Sequence, residues 1–312
     1  MFFISARCIP RVLSFRHRMD WSQVREYLWY GLPLLPYLAG FGWQILIDRY
    51  MLAIFVSVEA VAFYTLAHTV MTMLTMVGVI LSSTLFPHLA ARLKSDRTLT
   101  DDAPKSYRVL FNLSLKYIYV VTIPALVLLV FLRESVVRAL SGPDYLPSAD
   151  LMLAFTPYVL CAVGGQVLVQ NVLLRKDTKS LALGYWVAVI VHIVLMVTLV
   201  QYMGVFAAIL ATSVSNLVIL CTTFMLSDTK TLLDPSLLRG GRILIATAAM
   251  VAVVYSATQV EWPFDLAVGS VVGIVCFIAV FLAIGGLTDW ERTSIKQVVL
   301  GRTGDENLKH VL

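Results

Sequence analysis

Charge is scarce in this chain. Only 14% of its 312 residues are Asp, Glu, Lys or Arg, against about 25% in an ordinary soluble domain, and so low a share excludes a water-soluble globule. Cysteine is also sparse: Cys8, Cys161, Cys221 and Cys276 lie in or beside apolar stretches without paired or metal-like spacing. That pattern argues against a disulfide framework and a zinc site, and leaves four free thiols packed as small apolar residues. No Gly-rich phosphate loop, zinc-ligand spacing or nucleophile elbow is present, so catalysis and nucleotide hydrolysis have no residues to carry them. The chain is therefore not read as an enzyme, and no cofactor or metal is expected. The stretch Met1–Met19 has a short apolar start and several arginines, but no long apolar region followed by a small-residue cleavage site, so it is not a signal peptide. No internal repeat of about half the chain is visible.

What the chain has is hydrocarbon, arranged in runs. Hydrophobic residues make up 59% and mean hydropathy is +0.83. About twenty apolar residues suffice to cross roughly 30 Å of bilayer core. Eight runs have approximately that length: Leu28–Ile47, Ala60–Pro87, Leu113–Leu132, Leu151–Leu174, Leu181–Val200, Val205–Leu226, Ile243–Val260 and Phe264–Leu287. The expectation is an all-α, multi-pass transmembrane bundle of about eight spans. The fifth and sixth runs, joined through Gln201-Tyr202-Met203-Gly204, form an antiparallel hairpin, and Pro124 inside the third removes a backbone donor that a kink or a neighbour must answer. A net charge of +5 with a pI near 9.0 raises nucleic acid as a partner. The basic residues fall in short segments between apolar runs, however, so they are topology signals and no nucleic acid is expected. With a cytoplasmic N-terminus, about twenty of the 24 Lys and Arg fall on the cytoplasmic side, and Arg49, Arg133 and Arg138 on the other. An even count of spans returns the C-terminus to the cytoplasm.

Polar groups within the runs are costly in lipid, so each is a candidate for a transport path. In the first run, opened by Tyr30-Gly31-Leu32-Pro33-Leu34-Leu35-Pro36, Gln44 is the one strongly polar member before Asp48-Arg49-Tyr50 closes it. That charged pair reads either as an interface marker or as an anion-binding Arg49 with Asp48 as its partner. In the fourth run, Gln166, Gln170 and Asn171 follow i, i+4, i+5 spacing and are expected to share one face, looking into a cavity or bonding a neighbouring helix. Asn112 and Asn216 favour interhelical bonding. His68 and His192 are proton-carrying candidates, set against packing histidines. Lys116 is the one clear cation inside a run. It either meets an anionic group in the path or snorkels to the headgroups from within about a turn of the span's end.

The order of these features resembles the polysaccharide and oligosaccharide lipid flippases, part of the superfamily that also holds multidrug exporters and lipid II flippases. The resemblance lies in Tyr30 to Pro36, Asp48-Arg49-Tyr50-Met51-Leu52, Glu59-Ala60-Val61-Ala62-Phe63-Tyr64, the turn Ser141-Gly142-Pro143-Asp144-Tyr145 and the hairpin Met203-Gly204-Val205-Phe206-Ala207-Ala208. Family members usually carry twelve to fourteen helices in two lobes. By that measure the chain resembles a C-terminal half: a basic cytoplasmic segment 1–26, a six-helix lobe 27–226, two additional helices in 227–288, and a cytoplasmic tail 289–312. The resemblance implies a flippase of the cell (inner or plasma) membrane that moves polyprenyl-diphosphate-linked oligosaccharide for cell-surface polysaccharide biosynthesis. Its partners would be the lipid-linked glycan, membrane lipids, and an N-terminal six-helix lobe or a second copy. Gln44, Asp48, Arg49, His68, Lys116, Gln166, Gln170 and Asn171 are the substrate-path candidates. The rivals are a small-molecule exporter of the same scaffold and a truncated, non-transporting half-protein. A membrane-embedded glycan polymerase is disfavoured because no outer loop exceeds about eighteen residues.

Overall fold

The computed structural model describes residues 21–31, 35–95, 105–175, 177–226, 233–234, 240–257 and 264–287. Among them every regular element is helical. In chain order these are α1 (Trp21–Gly31), α2 (Leu35–Phe55), α3 (Val58–Ser95), α4 (Lys105–Phe131) and α5 (Arg133–Ser141). After a 3-10 turn at Pro143–Tyr145 come α6 (Pro147–Ala154), α7 (Thr156–Leu174), α8 (Thr178–Met203), α9 (Val205–Leu226), α10 (Gly240–Ala257) and α11 (Phe264–Ala283). Among the described residues, five stretches are long and apolar enough to cross a membrane: Val58–Thr84, Tyr107–Phe131, Thr156–Leu174, Thr178–Met203 and Val205–Leu226. At about 1.5 Å per residue, α2 also reaches roughly 30 Å. The protein is a multi-pass membrane helix bundle.

Element ends depart from the hydropathy runs for physical reasons. Helix α1 carries the start of the first run to Gly31, and α2 continues about two turns beyond Asp48-Arg49 to Phe55. Charge ends an apolar run but does not end a helix. Adjacent residues point about 100° apart, so one of the pair turns inward and the other out: Asp48 is buried and Arg49 exposed. The second run extends through Pro87 to Ser95. The third begins at Lys105, about two turns before the apolar run, which places Lys116 well inside α4 and not near its end. The stretch between the third and fourth runs is helical, and the fourth run is divided at Phe155, with Pro147 and Pro157 in the first turns of α6 and α7. Proline is tolerated there because first-turn donors have no intrahelical partner. Most of the basic N-terminal segment, Pro33, residues 96–104 and the tail from 288 lie outside the described residues.

Helix α8 shows how composition sets orientation. Leu183, Trp186, Ile190, Val194 and Val197 are exposed, while Ala188, His192, Met196 and Val200 form the buried stripe at i+4 spacing. The outward stripe is apolar because its solvent is lipid. Asp177 caps the helix by accepting from Ser180 N–H at 3.3 Å. Gly204, at φ 54° and ψ −125°, makes the one-residue turn into α9, a backbone conformation that costs a Cβ-bearing residue about 1–3 kcal/mol. The expected α8–α9 hairpin is present.

One large apolar cluster joins α2 to α9, and Phe63 meets Tyr145 edge-on at 5.9 Å within it. A second cluster binds α10 and α11 to the other flank of α4 through Leu132, Ile243, Met250, Val254, Phe277 and Phe281.

Candidate functional site

The polar interior begins with Asp48, 1% exposed near the end of α2. A carboxylate in lipid must have donors, and three helices supply them. Tyr64 Oη of α3 donates to Oδ2 at 2.5 Å, Thr212 Oγ1 of α9 donates to Oδ2 at 3.2 Å, and His192 Nε2 of α8 faces Oδ1 at 2.9 Å. His192 is 0% exposed and its Nδ1 has no partner. One turn before Asp48, buried Gln44 donates from Nε2 to Ser215 Oγ of α9 at 3.3 Å. The ring of Tyr64 stacks on His68, which stacks on Tyr158 and meets Phe155 edge-on, so His68 sits in an aromatic cage beside the carboxylate cluster.

This arrangement departs from the expected Asp48–Arg49 pair. Arg49 is exposed and forms no ion pair with Asp48, whose oxygens are taken by Tyr64, Thr212 and His192. Only the i+4 stripe of α8 could have shown that His192 faces inward, and its partner lies 144 positions away.

A cavity of about 350 Å³ opens beside this cluster, between α3, α7 and α9. Its polar lining carries no charge: Thr72, Thr75, Ser82, Tyr158, Gln166, Gln170 and Asn216 present hydroxyls and amides. Gln166 donates from Nε2 to the Thr75 carbonyl at 3.3 Å, and its buried Oε1 has no partner. Gly78 makes room for that carboxamide, since a Cβ there would stand 2.5 Å from Oε1. Asn171 does not share this face: i+5 places it about 140° from Gln166, where it accepts from Tyr107 Oη at 2.6 Å. Asn216 lines the cavity and bonds its own helix at the Thr212 carbonyl, 2.9 Å away. Asn112 bonds the Arg108 carbonyl at 2.7 Å and accepts from Asp234 N–H at 2.9 Å. Thr72, Thr75 and Tyr158 carry no signal of their own in the sequence, because threonine and tyrosine are common in an apolar run.

Lys116 is 0% exposed, with Nζ 5.5 Å from the centroid of the Tyr117 ring, so it does not snorkel. It borders a second cavity of about 400 Å³, otherwise apolar, walled by Leu115, Ile123, Leu168, Leu220, Phe224 and Ile243 of α4, α7, α9 and α10. The molecule thus holds a buried charge cluster, an uncharged hydroxyl-and-amide cavity, and an apolar slot with one lysine at its edge.

The solved structure described as "Lipid II flippase MurJ, inward closed conformation" has the same fold: TM-score 0.67, 15% identity, covering 89% of this chain and 58% of that one. The chain spans less than two thirds of that flippase. Residues 3–150 match the family described as "Polysaccharide biosynthesis protein", and no curated protein matches significantly. The first half of the chain is thus similar to a polysaccharide-biosynthesis family, and its fold to that of a solved lipid flippase.

Proposed function

We propose that this protein moves a polyprenyl-diphosphate-linked oligosaccharide between leaflets for cell-surface polysaccharide biosynthesis, from the cell membrane, with both termini cytoplasmic. The observation that carries the reading is the uncharged cavity between α3, α7 and α9. Sugars offer many weak donors and acceptors and no charge, so hydroxyls and amides such as Gln166 Oε1 complement them, whereas a pocket for cationic drugs needs a carboxylate. The apolar slot at Lys116 suits the other two parts of such a substrate, a cation for the diphosphate and hydrocarbon walls for the prenyl chain. In this reading the lobe is 27–226, α10 borders the tail with α11 packed outside it, and the opposite wall of the path comes from another six-helix lobe or a second copy.

The test is translocation of a sugar-labelled polyprenyl-diphosphate oligosaccharide in vesicles carrying the full chain, alone and with any adjoining lobe. A Gln166→Ala, Gln170→Ala variant is expected to lower the rate about tenfold, one to two lost hydrogen bonds' worth. Wild-type vesicles that move cationic dyes but no glycolipid would replace this reading with that of a small-molecule exporter.

A further inference from the structure

We propose that Leu233 is a built-in occupant of the apolar slot, a branched side chain standing where an isoprene unit of a lipid tail would sit, and that Asn112 clasps it there. Leu233 and Asp234 lie between α9 and α10. Leu233 is half-buried, packs on the large apolar cluster and forms part of the slot wall beside Leu115, Leu168 and Phe224. Its neighbour Asp234 is exposed and donates its backbone N–H to Asn112 Oδ1 at 2.9 Å. The other end of that carboxamide donates from Nδ2 to the Arg108 carbonyl at 2.7 Å, so an amide N–H on one side and a carbonyl on the other fix which end is oxygen. Asn112 is 0% exposed and stands one turn before Lys116 on the same face of α4. A polar side chain at that depth is costly, and this one directs its oxygen at the backbone next to a leucine of the slot.

The hold is weak enough to be broken. Slot walls, leucine and surrounding lipid are all hydrocarbon, so moving Leu233 out gives up little besides dispersion contacts. The Asn112 bond adds direction to a hold that hydrocarbon alone leaves loose. An isobutyl group and an isoprene unit share a branched carbon skeleton, so the same walls accept either. A tethered leucine then competes at high effective concentration with any tail arriving from the bilayer. The tail binds at the affinity of the open slot reduced by the fraction of time that Leu233 is out of it. Entry therefore requires that the leucine be displaced and that Asp234 part from Asn112. Identifying the tail as that of a polyprenyl diphosphate rests on the flippase reading; the competition between Leu233 and branched hydrocarbon does not.

The experiment uses the full chain in lipid nanodiscs and farnesol bearing a photoreactive diazirine, a branched probe with no charge for Lys116 to attract. Labelled residues are mapped by mass spectrometry for wild type, Leu233→Ala and Asn112→Ala. The probe concentration for half-maximal labelling of Leu115, Leu168 and Phe224 is expected to fall about fivefold in both variants, the factor that corresponds to one net hydrogen bond. If Leu233 were wall and nothing more, its truncation would remove contacts and raise that concentration. A rise, no change, or no labelling of the slot in any of the three proteins overturns the proposal. Should Asn112→Ala fail to insert, Leu233→Ala decides alone by the same outcomes. A straight-chain palmitic acid probe with the same diazirine is expected to respond less to either substitution, and an equal response overturns the choice of branched hydrocarbon. Enhanced farnesol labelling in the variants of a protein that moves no glycolipid would remove the flippase reading and leave the clasp standing. Glycolipid transport with labelling unaltered by either substitution would do the reverse.

Discussion

Replacing Tyr64 by Phe measures what the buried hydrogen bond to Asp48 contributes to the bundle. The substitution keeps the ring, which is 1% exposed and packed against His68 and Phe155, and deletes only the hydroxyl that donates to Asp48 Oδ2 at 2.5 Å. Two magnitudes compete. Hydrogen bonds between neutral groups in membrane helices average about 0.6 kcal/mol, whereas those to an ionised acceptor contribute about 1.5–3 kcal/mol. Thr212 and His192 remain as donors, so the carboxylate is not stranded, and the expected loss is about 2 kcal/mol. Thr212→Val, removing a longer bond of 3.2 Å to the same oxygen, should lose about 1 kcal/mol. The double variant should lose more than the sum, because the last donor to Oδ2 goes with it. Reversible unfolding in mixed micelles measures all three. A Tyr64→Phe loss under about 0.5 kcal/mol, with simple additivity, would refute the reasoning.

Three further outcomes are expected. Gly204→Ala should destabilise by about 1–3 kcal/mol, since only glycine takes the backbone angles of the α8–α9 turn comfortably; micelle unfolding reads it. Lys116→Met should weaken retention of a short-chain polyprenyl diphosphate by about 2 kcal/mol, roughly thirtyfold, in equilibrium binding. Asn171→Leu should lose about 1–3 kcal/mol of stability, because Tyr107 Oη is left buried without its acceptor, while glycolipid transport per folded molecule stays unchanged.

Hydropathy alone carried the helical class, the order of the crossings and the α8–α9 hairpin, because the length of hydrocarbon needed and the Gly204 turn are both local properties. It failed where a charge sits inside a helix. Asp48-Arg49 looked like the end of a span, yet the backbone runs on to Phe55, since one helix buries the acid against three neighbours and leaves the base outside. Lys116 looked close enough to water to reach it, but α4 begins at Lys105, about two turns earlier than its greasy stretch. Gln166 and Gln170 were legible as a cavity face from their i+4 spacing. Asn171 was misplaced by an angle that arithmetic on 3.6 residues per turn would have corrected. The contacts of Asp48 with His192 and Thr212 join residues more than a hundred positions apart, and nothing in local sequence encodes such a meeting.

The slot between α4, α7, α9 and α10 has an unusual thermodynamic character because its walls are oil and so is the medium outside. An isoprenoid that slides in from the bilayer swaps one greasy environment for another, so water gives no push and the gain reduces to shape and dispersion. Such a berth grips weakly and releases readily. Under the flippase function proposed above, a tail held this loosely would follow its headgroup across, and the polar cavity and Lys116 would set when the passenger boards and when it leaves.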